Sequence, residues 1–529
     1  MRRRTLLASS IATTGAALAA PHIAGAQRPS VLRFVPQSDL AILDPVQTTG
    51  AVTRNHGLLV FDQLYGVDDR LTPQPQMAEG HTVEEDGKRW TIRLREGLRF
   101  HDGEPVRARD CVASIRRWGA RDTFGLALMA VTDELAASDD RTIVFRLKRP
   151  FPLLADALGK SNSNICAMMP ERLAQTDPAK AIPEVVGSGP YRFVPGERVA
   201  GSLVVYERNR GYVPRPGGTP SFLAGPRAPN FDRVEWRILP DPATAAAALQ
   251  TGEIDWWEQP TADLLPTLRR QAALRVDTVE TFGFFSLLRP NHLHPPFDNP
   301  AIRRALFGAF LQADFMQAVV GENRDLWRDR CGFFLPGSPA ASDAGLDTLP
   351  AQADFARVKR DLQVAGYGGE RVVFLVPTDF PVVNAMSEVA GDALRRCGIN
   401  LDYRTMDWGT ALQRLASQEP PDRGGWNLFS TYALGAGVAS PAAHAYIRGS
   451  GRSATLGWFT SPRMEALRTA WLEAADAAEQ KRICRDMQVL GFEEGPFWPT
   501  GTFYQATALR ADLTDLVKGA PVFWGLRRT

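Results

Sequence analysis

Residues 90–118 read WTIRLREGLRFHDGEPVRARDCVASIRRW, and the change of period inside them sets the fold class. Trp90, Ile92 and Leu94 alternate with Thr91 and Arg93, the two-residue period of a half-buried strand. Gly97 and Asp102-Gly103 are turn signals on either side of a second short strand-like run. From Ala108 onward, Cys111, Val112 and Ile115 recur at helical spacing. The same interleaving continues outward. Residues 234–238 alternate apolar and polar, and residues 372–376 form an unbroken apolar run that fits a strand buried on both faces. Ile302, Ala305, Leu306, Ala309 and Phe310 make one helical stripe, with Asn299 as its N-cap and Pro300 in its first turn. Ser461-Pro462 opens a helix carrying Leu467 and Trp471, and Ile483, Met487 and Leu490 mark another that ends near Gly491. Helices and strands alternate over the whole length, which is a mixed α/β chain. Strand-like apolar residues near both ends of the mature chain place both ends in one lobe. The Pro- and Gly-rich stretches 214–229 and 335–350 read as surface excursions.

The first 26 residues carry an export signal. Arg2-Arg3-Arg4 precedes a mildly apolar stretch without acids, and Ala24-Gly25-Ala26 supplies a small-residue cleavage site. The apolar stretch is too short and too polar to span a bilayer. Arg3-Arg4-Thr5-Leu6-Leu7 resembles a twin-arginine signal but lacks its usual preceding Ser and following Lys, so a twin-arginine-like and a Sec route both stay open. No Cys stands at the cleavage site, so the expected product is soluble rather than lipid-anchored. Its removal leaves roughly 500 residues, enough for two or three lobes with separate cores. With 61 Lys+Arg against 59 Asp+Glu, the chain presents no electrostatic case for nucleic acid. Cys111, Cys166, Cys331, Cys397 and Cys484 lack metal-ligand spacing. They are either small buried thiols or members of one or two disulfides whose pairing sequence does not fix.

Several segments together resemble a known family. The 90–118 stretch resembles the signature of the family 5 extracellular solute-binding proteins, the receptors of dipeptide, oligopeptide and nickel ABC importers. Leu43-Asp44-Pro45 is similar to that family's early LDP, and Val186-Gly187-Ser188-Gly189-Pro190-Tyr191 to its GTGPY segment. Gly252-Glu253-Ile254-Asp255 resembles its G-x-I-D turn, and residues 296–305, PFDNPAIRRA, its PFDNxxVRxA helix start. The resemblance implies a periplasmic binding protein-like α/β fold with two lobes around a hinged cleft and an additional sub-domain. Mapped by motif, lobe I is 27–72, 185–283 and 500–529, its sub-domain 73–184, and lobe II 284–499. Gly187, Gly189 and Phe284 are then hinge residues. The implied function is capture of a small molecule, peptide-like or another organic solute, and its delivery to an ABC transporter permease. A monomer in the periplasm is expected, without cofactor or metal. A sensor or chaperone use of the same fold is the alternative, and an exported enzyme is the least favoured.

Chemistry for that last reading is missing from the sequence. There is no H-E-x-x-H, P-loop or G-x-S-x-G, since Val186 occupies the position two before Ser188. His292 and His294 sit among Pro290, Pro295 and Pro296, and His101 lies beside a turn. The resemblance places ligand contacts in three regions. They are Thr48, Thr49 and Gly50; Phe285, Arg289 and Asn291; and Trp408, Trp426 and Tyr432. Trp408 reads more readily as a cap of its helix against the core, Trp426 equally as a core residue, and Arg289 more readily as a surface charge. Peptide-binding members carry an acid in the third region that accepts the ligand's α-ammonium. Residues 430–441, STYALGAGVASP, contain no Asp or Glu, which counts against a ligand anchored by its α-ammonium.

Overall fold

The computed structural model describes residues 30–474 and 476–529. The export signal lies outside the described residues. Three sheets carry the chain. The first has seven strands in the order Leu274–Thr278, Ala506–Arg510, Trp256–Trp257, Val31–Val35, Arg233–Arg237, Leu203–Arg208 and Tyr191–Phe193. The second has six, in the order Trp327–Arg328, Trp498–Phe503, Phe284–Pro290, Leu428–Leu434, Arg371–Pro377 and Asn400–Met406. A four-stranded antiparallel sheet, Ala78–Glu84, Arg89–Leu94, Thr142–Leu147 and Thr132–Ala137, is inserted between the first strand of the seven-stranded sheet and its return at Tyr191. The first and last long segments, Val31–Val35 and Ala506–Arg510, share the seven-stranded sheet.

Local sequence explains the elements. The helix Ala108–Gly119 starts where Arg107 N–H donates to the Asp110 carboxylate at 2.8 Å, and it buries Cys111, Ile115 and Trp118 against the small sheet. The short strand expected after Gly97 reduces to one bridge between Arg99 and Pro105. Asn299 accepts from Ala301 N–H at 2.9 Å and caps Pro300–Leu306, and Ser461 caps Pro462–Glu473. The helix Ala477–Glu494 runs past Gly491, whose missing side chain makes room for the Phe333 ring, and ends at Gly495. Residues 372–376 are buried on both faces of Arg371–Pro377, between two parallel neighbours. All five cysteines are buried free thiols.

Of two buried ion pairs, Asp44–Arg117 ties the first lobe to the inserted segment and Asp62–Arg227 braces that lobe internally. Asp44 of the LDP segment accepts from Arg117 at 2.7 and 3.2 Å, from Ile182 N–H and from Val46 N–H. Arg117 also donates to the Thr176 and Lys180 carbonyls. Asp62 accepts from Arg227 at 2.8 Å and from Tyr212 at 3.0 Å. These charges are tolerated in the interior because nearly every lone pair and N–H has a partner. The Asp44→Ala variant leaves the Arg117 guanidinium buried without its carboxylate, and equilibrium denaturation is expected to show a loss of about 3–5 kcal/mol. A change below about 1 kcal/mol contradicts this account of the pair.

Candidate functional site

The chain passes between the two large sheets twice, at residues 279–283 and at 504–505, and the strands on either side place these crossings next to each other. Phe284 pairs with Phe503 in the second sheet, while Thr278 pairs with Ala506 in the first. Gly283, at φ +64°, packs against the Phe503 carbonyl and the Tyr504 ring, so a side chain there meets both strain and a clash. Beside the crossings, residues of the two sheets face each other across a narrow crevice that Tyr432 and Gln37 bridge.

The first-sheet wall of the crevice begins with Gln37, just beyond Val31–Val35. Gln37 N–H donates to Glu258 at 2.7 Å, and its amide oxygen accepts from Gln259 at 2.8 Å. Behind it the helix Ala51–Val60 turns Arg54 inward. Arg54 donates to Glu280 at 2.5 Å and to Asn55 at 3.0 Å, and Asn55 donates to Glu258 at 3.2 Å. All four side chains are buried. Burial drives the Glu258 carboxyl up to about 7, against the stabilising bond from Gln37 N–H and the charge of Arg54. Burial likewise raises Glu280, and Arg54 opposes it. A small cavity beside the crossings is lined by Glu258, Glu280, Phe284, Gln505 and Thr507 among others.

The opposite wall is the end of the strand Leu428–Leu434. Tyr432 lies against Phe284 at 5.1 Å, Phe503 at 5.6 Å and Phe380 at 5.9 Å between ring centroids. Its hydroxyl crosses the crevice and donates to Gln37 Oε1 at 2.8 Å. A second crossing contact brings Gly437 against Asn162 of the inserted segment. The arrangement has hydrogen-bonding amides, one guanidinium and two carboxylates. Such groups are able to orient a polar solute by hydrogen bonds and charge.

The sequence-predicted residues divide by position. Tyr432 lies in the crevice. Thr48, Thr49 and Gly50 precede the helix Ala51–Val60 that carries Arg54, their backbone held by Asn164 to Thr48 O at 3.0 Å and Ser163 to Thr49 O at 2.5 Å. Phe284 stands at the first crossing. Trp408 is one ring further back, against Phe380 at 4.8 Å and Phe429 at 6.2 Å. Phe285, Asn291 and Trp426 are corrected to interior positions. Phe285 points to the reverse face of its strand and meets Phe497, because neighbours in a strand face opposite ways. Asn291 donates to the Trp426 carbonyl at 2.8 Å, and Trp426, 0% exposed, donates to the Leu415 carbonyl at 3.1 Å. Arg289 is buried away from the crevice, in a cavity within the second-sheet lobe.

Gly187 and Gly189 do not lie between the large sheets. An added Cβ at either would run into the backbone carbonyls of Leu59 or Val60, and His101 bonds to the segment from the other side. Close approach, not changing dihedrals, requires glycine there. His292 and His294 each bond a main-chain carbonyl, Pro496 O and Gln418 O. Arg54, Glu258, Glu280, Gln37 and Gln505 were not anticipated, although Glu258 stands three residues beyond the G-x-I-D turn. A charged residue carries no mark of burial when its partners are 200 positions away.

Comparisons with known proteins agree with this geometry. Residues 72–453 match the bacterial extracellular solute-binding proteins, family 5 Middle. A probable peptide ABC transporter periplasmic-binding protein, y4tO, of Sinorhizobium fredii is 33% identical over 533 residues, covering 99% of each chain. The solved structure of the periplasmic binding protein AgaA from A. tumefaciens R10 in complex with agropinic acid has a TM-score of 0.78 at 20% identity, over 94% of this chain and 99% of that one. DppA from Helicobacter pylori, in complex with the peptide STSA, also has a TM-score of 0.78 at 20% identity, over 95% and 99%.

Because the folded-state pKa of Glu258 is raised, the native state holds a proton that the unfolded chain releases near the ordinary glutamate value of 4.5. Stability contributed by this group is therefore full below about pH 4.5 and falls as pH rises through 7. Buried His56 and His444, held down to about 3 by desolvation, act in the opposite sense at acid pH. Comparing wild type with Glu258→Gln isolates the glutamate. The variant is expected to gain roughly 3 kcal/mol on wild type between pH 4.5 and 8, and parallel stability curves would contradict the assignment.

Proposed function

We propose, from the premise that the chain belongs to family 5 of the bacterial extracellular solute-binding proteins, that it captures a small organic solute in the crevice between its large sheets and presents it to the permease of an ABC importer. The observation that carries this reading is the Tyr432–Gln37 bond, a hydrogen bond that spans the two walls beside the crossings. Lobe I comprises 27–72, 185–283 and the C-terminal segment, with 73–184 as its sub-domain, and lobe II begins at 284. Because Trp498–Phe503 is a strand of the second sheet, the boundary moves from 499 to about 504. The hinge is the pair of crossings at 279–283 and 504–505. Tyr432, Gln37 and the 48–50 segment form the walls that a solute meets. The protein acts as an exported, soluble monomer cleaved after Ala26, and its role is binding without catalysis. Among the described residues no helix is long and apolar enough to cross a membrane.

Closure on a solute makes two measurable statements. Binding confined to the closed native state raises stability by about 2.7 kcal/mol at a hundredfold excess over Kd. Small-angle scattering at saturation with the solute that co-purifies is expected to give a smaller radius of gyration than the stripped protein. An unchanged radius at saturation overturns the hinged reading.

The solute is not anchored through an α-ammonium. Residues 430–441 offer no carboxylate, and the crevice acids are already engaged, Glu280 by Arg54 and Glu258 by Asn55 and Gln37. Calorimetry with di- to pentapeptides and their N-acetylated forms is expected to show affinities within roughly tenfold of each other. Loss of two decades or more on acetylation, the mark of a broken buried charge pair, overturns this.

A further inference from the structure

A second cavity lies wholly within the second-sheet lobe, and its polar lining is one-sided. Arg289, Tyr446, Arg448, His292, Trp458 and Phe459 contribute to it, together with neighbouring residues of 290–497, and none comes from the first-sheet lobe. Arg289 is 7% exposed, its Nε has no hydrogen-bond partner, and its guanidinium lies over the Tyr446 ring at 4.7 Å. Among the described residues neither Arg289 nor Arg448 has a carboxylate within ion-pair distance. The nearby acids are spoken for: Glu465 bonds Arg468 at 3.0 Å and Gly449 N–H at 2.7 Å, and Asp122 is paired with Lys160.

The lining is also held in place. His292 N–H donates to the Gly457 carbonyl at 2.8 Å, which clamps the 455–459 segment over the end of the strand Phe284–Pro290. Gly457 lies directly on the Arg289 stem, where an added Cβ would sit 3.1 Å from Cδ. His292 Nε2 is bonded to the Pro496 carbonyl at 3.0 Å, and burial holds its pKa well below the usual value, so the ring adds no charge. Desolvation by burial lowers the pKa of Arg289 as well, and Tyr446 opposes it. A guanidinium presents planar N–H pairs that fit two oxygens of one anion, and burial strengthens that attraction.

We propose that this cavity is an anion site that takes a carboxylate or phosphate-type oxyanion between the guanidiniums of Arg289 and Arg448. The aromatic faces of Tyr446, Trp458 and Phe459 line the same cavity. The site stands apart from the crevice and does not depend on how the transported solute is held.

Titration calorimetry of the purified full-length mature protein with sodium phosphate and with sodium formate tests it, in a zwitterionic buffer. Saturable binding of at least one anion is expected in wild type. Arg289→Met keeps the apolar stem over Tyr446, and Arg448→Gln alters a half-buried position; each is expected to weaken binding roughly tenfold or more, and the double variant to abolish it. Tighter phosphate identifies an inorganic oxyanion as the occupant, and tighter formate the acid group of an organic one. Absence of saturable heat in wild type, or equal affinity in wild type and Arg448→Gln, overturns the proposal. If Arg289→Met fails to fold by circular dichroism, Arg448→Gln alone decides. Scattering of the same variants with the co-purifying solute keeps crevice closure separate, since closure is expected to persist when the anion site is lost.

Discussion

Two crossings, side by side where the edge pair Leu274–Thr278 and Ala506–Arg510 of the first sheet continues into the inner pair Phe284–Pro290 and Trp498–Phe503 of the second, are the constraint on which the molecule depends. Residues 279–283 leave the first sheet and 504–505 return to it, and Phe284 and Phe503 are partners at the line between. The chain links the two large sheets at these crossings and nowhere else among the described residues. Gly283 fits this place because its backbone is left-handed and lies against Phe503 and Tyr504. The polar groups of the crevice are arranged about the crossings, with Gln37, Arg54, Glu258 and Glu280 on one wall and Tyr432 on the other.

The walls keep their shape because each is anchored by satisfied interior groups. In the first lobe, Asp44 and Arg117 fix the segment that leads to Thr48–Gly50, and Trp118 donates to the Asn164 carbonyl at 2.7 Å while Asn164 holds the carbonyls of 45, 46 and 48. Phe34, Trp236, Trp256 and Phe523 pack edge to face beneath the sheet. In the second lobe the aromatic set Phe284, Phe380 and Phe503 holds the Tyr432 ring, so its hydroxyl reaches Gln37 from a fixed base. Apolar packing supplies position on one side, and buried hydrogen bonds supply it on the other.

Sequence reading succeeded where the signal is local. Caps at Asn299 and Ser461, the alternation of 90–94 and the continuous run 372–376 each follow from a few neighbouring residues, and each appears as read. It failed where the answer depends on distant chain. Phe285 and Phe284 are adjacent and chemically identical, yet one faces the Phe497 side and the other the crossing. Trp426 and Tyr432 are both aromatic residues of one segment, and only the packing of Leu415 and Trp458 against the former makes it interior. Gly187 and Gly189 look like flexible joints in one dimension. In three, they are the places where the end of the helix Ala51–Val60 passes too close for a side chain.

The sequence by itself determined the α/β class, the order of strands and helices, the likeness to a solute-binding family and the absence of acids from 430–441. These are properties of composition and short-range period, which survive without knowledge of the fold. Tertiary structure alone decided which charges meet. Arg54 and Glu280 are 226 positions apart, and Tyr432 and Gln37 are 395 apart. The energy that brings such groups together belongs to the packing of whole sheets and helices, so no window of sequence contains it.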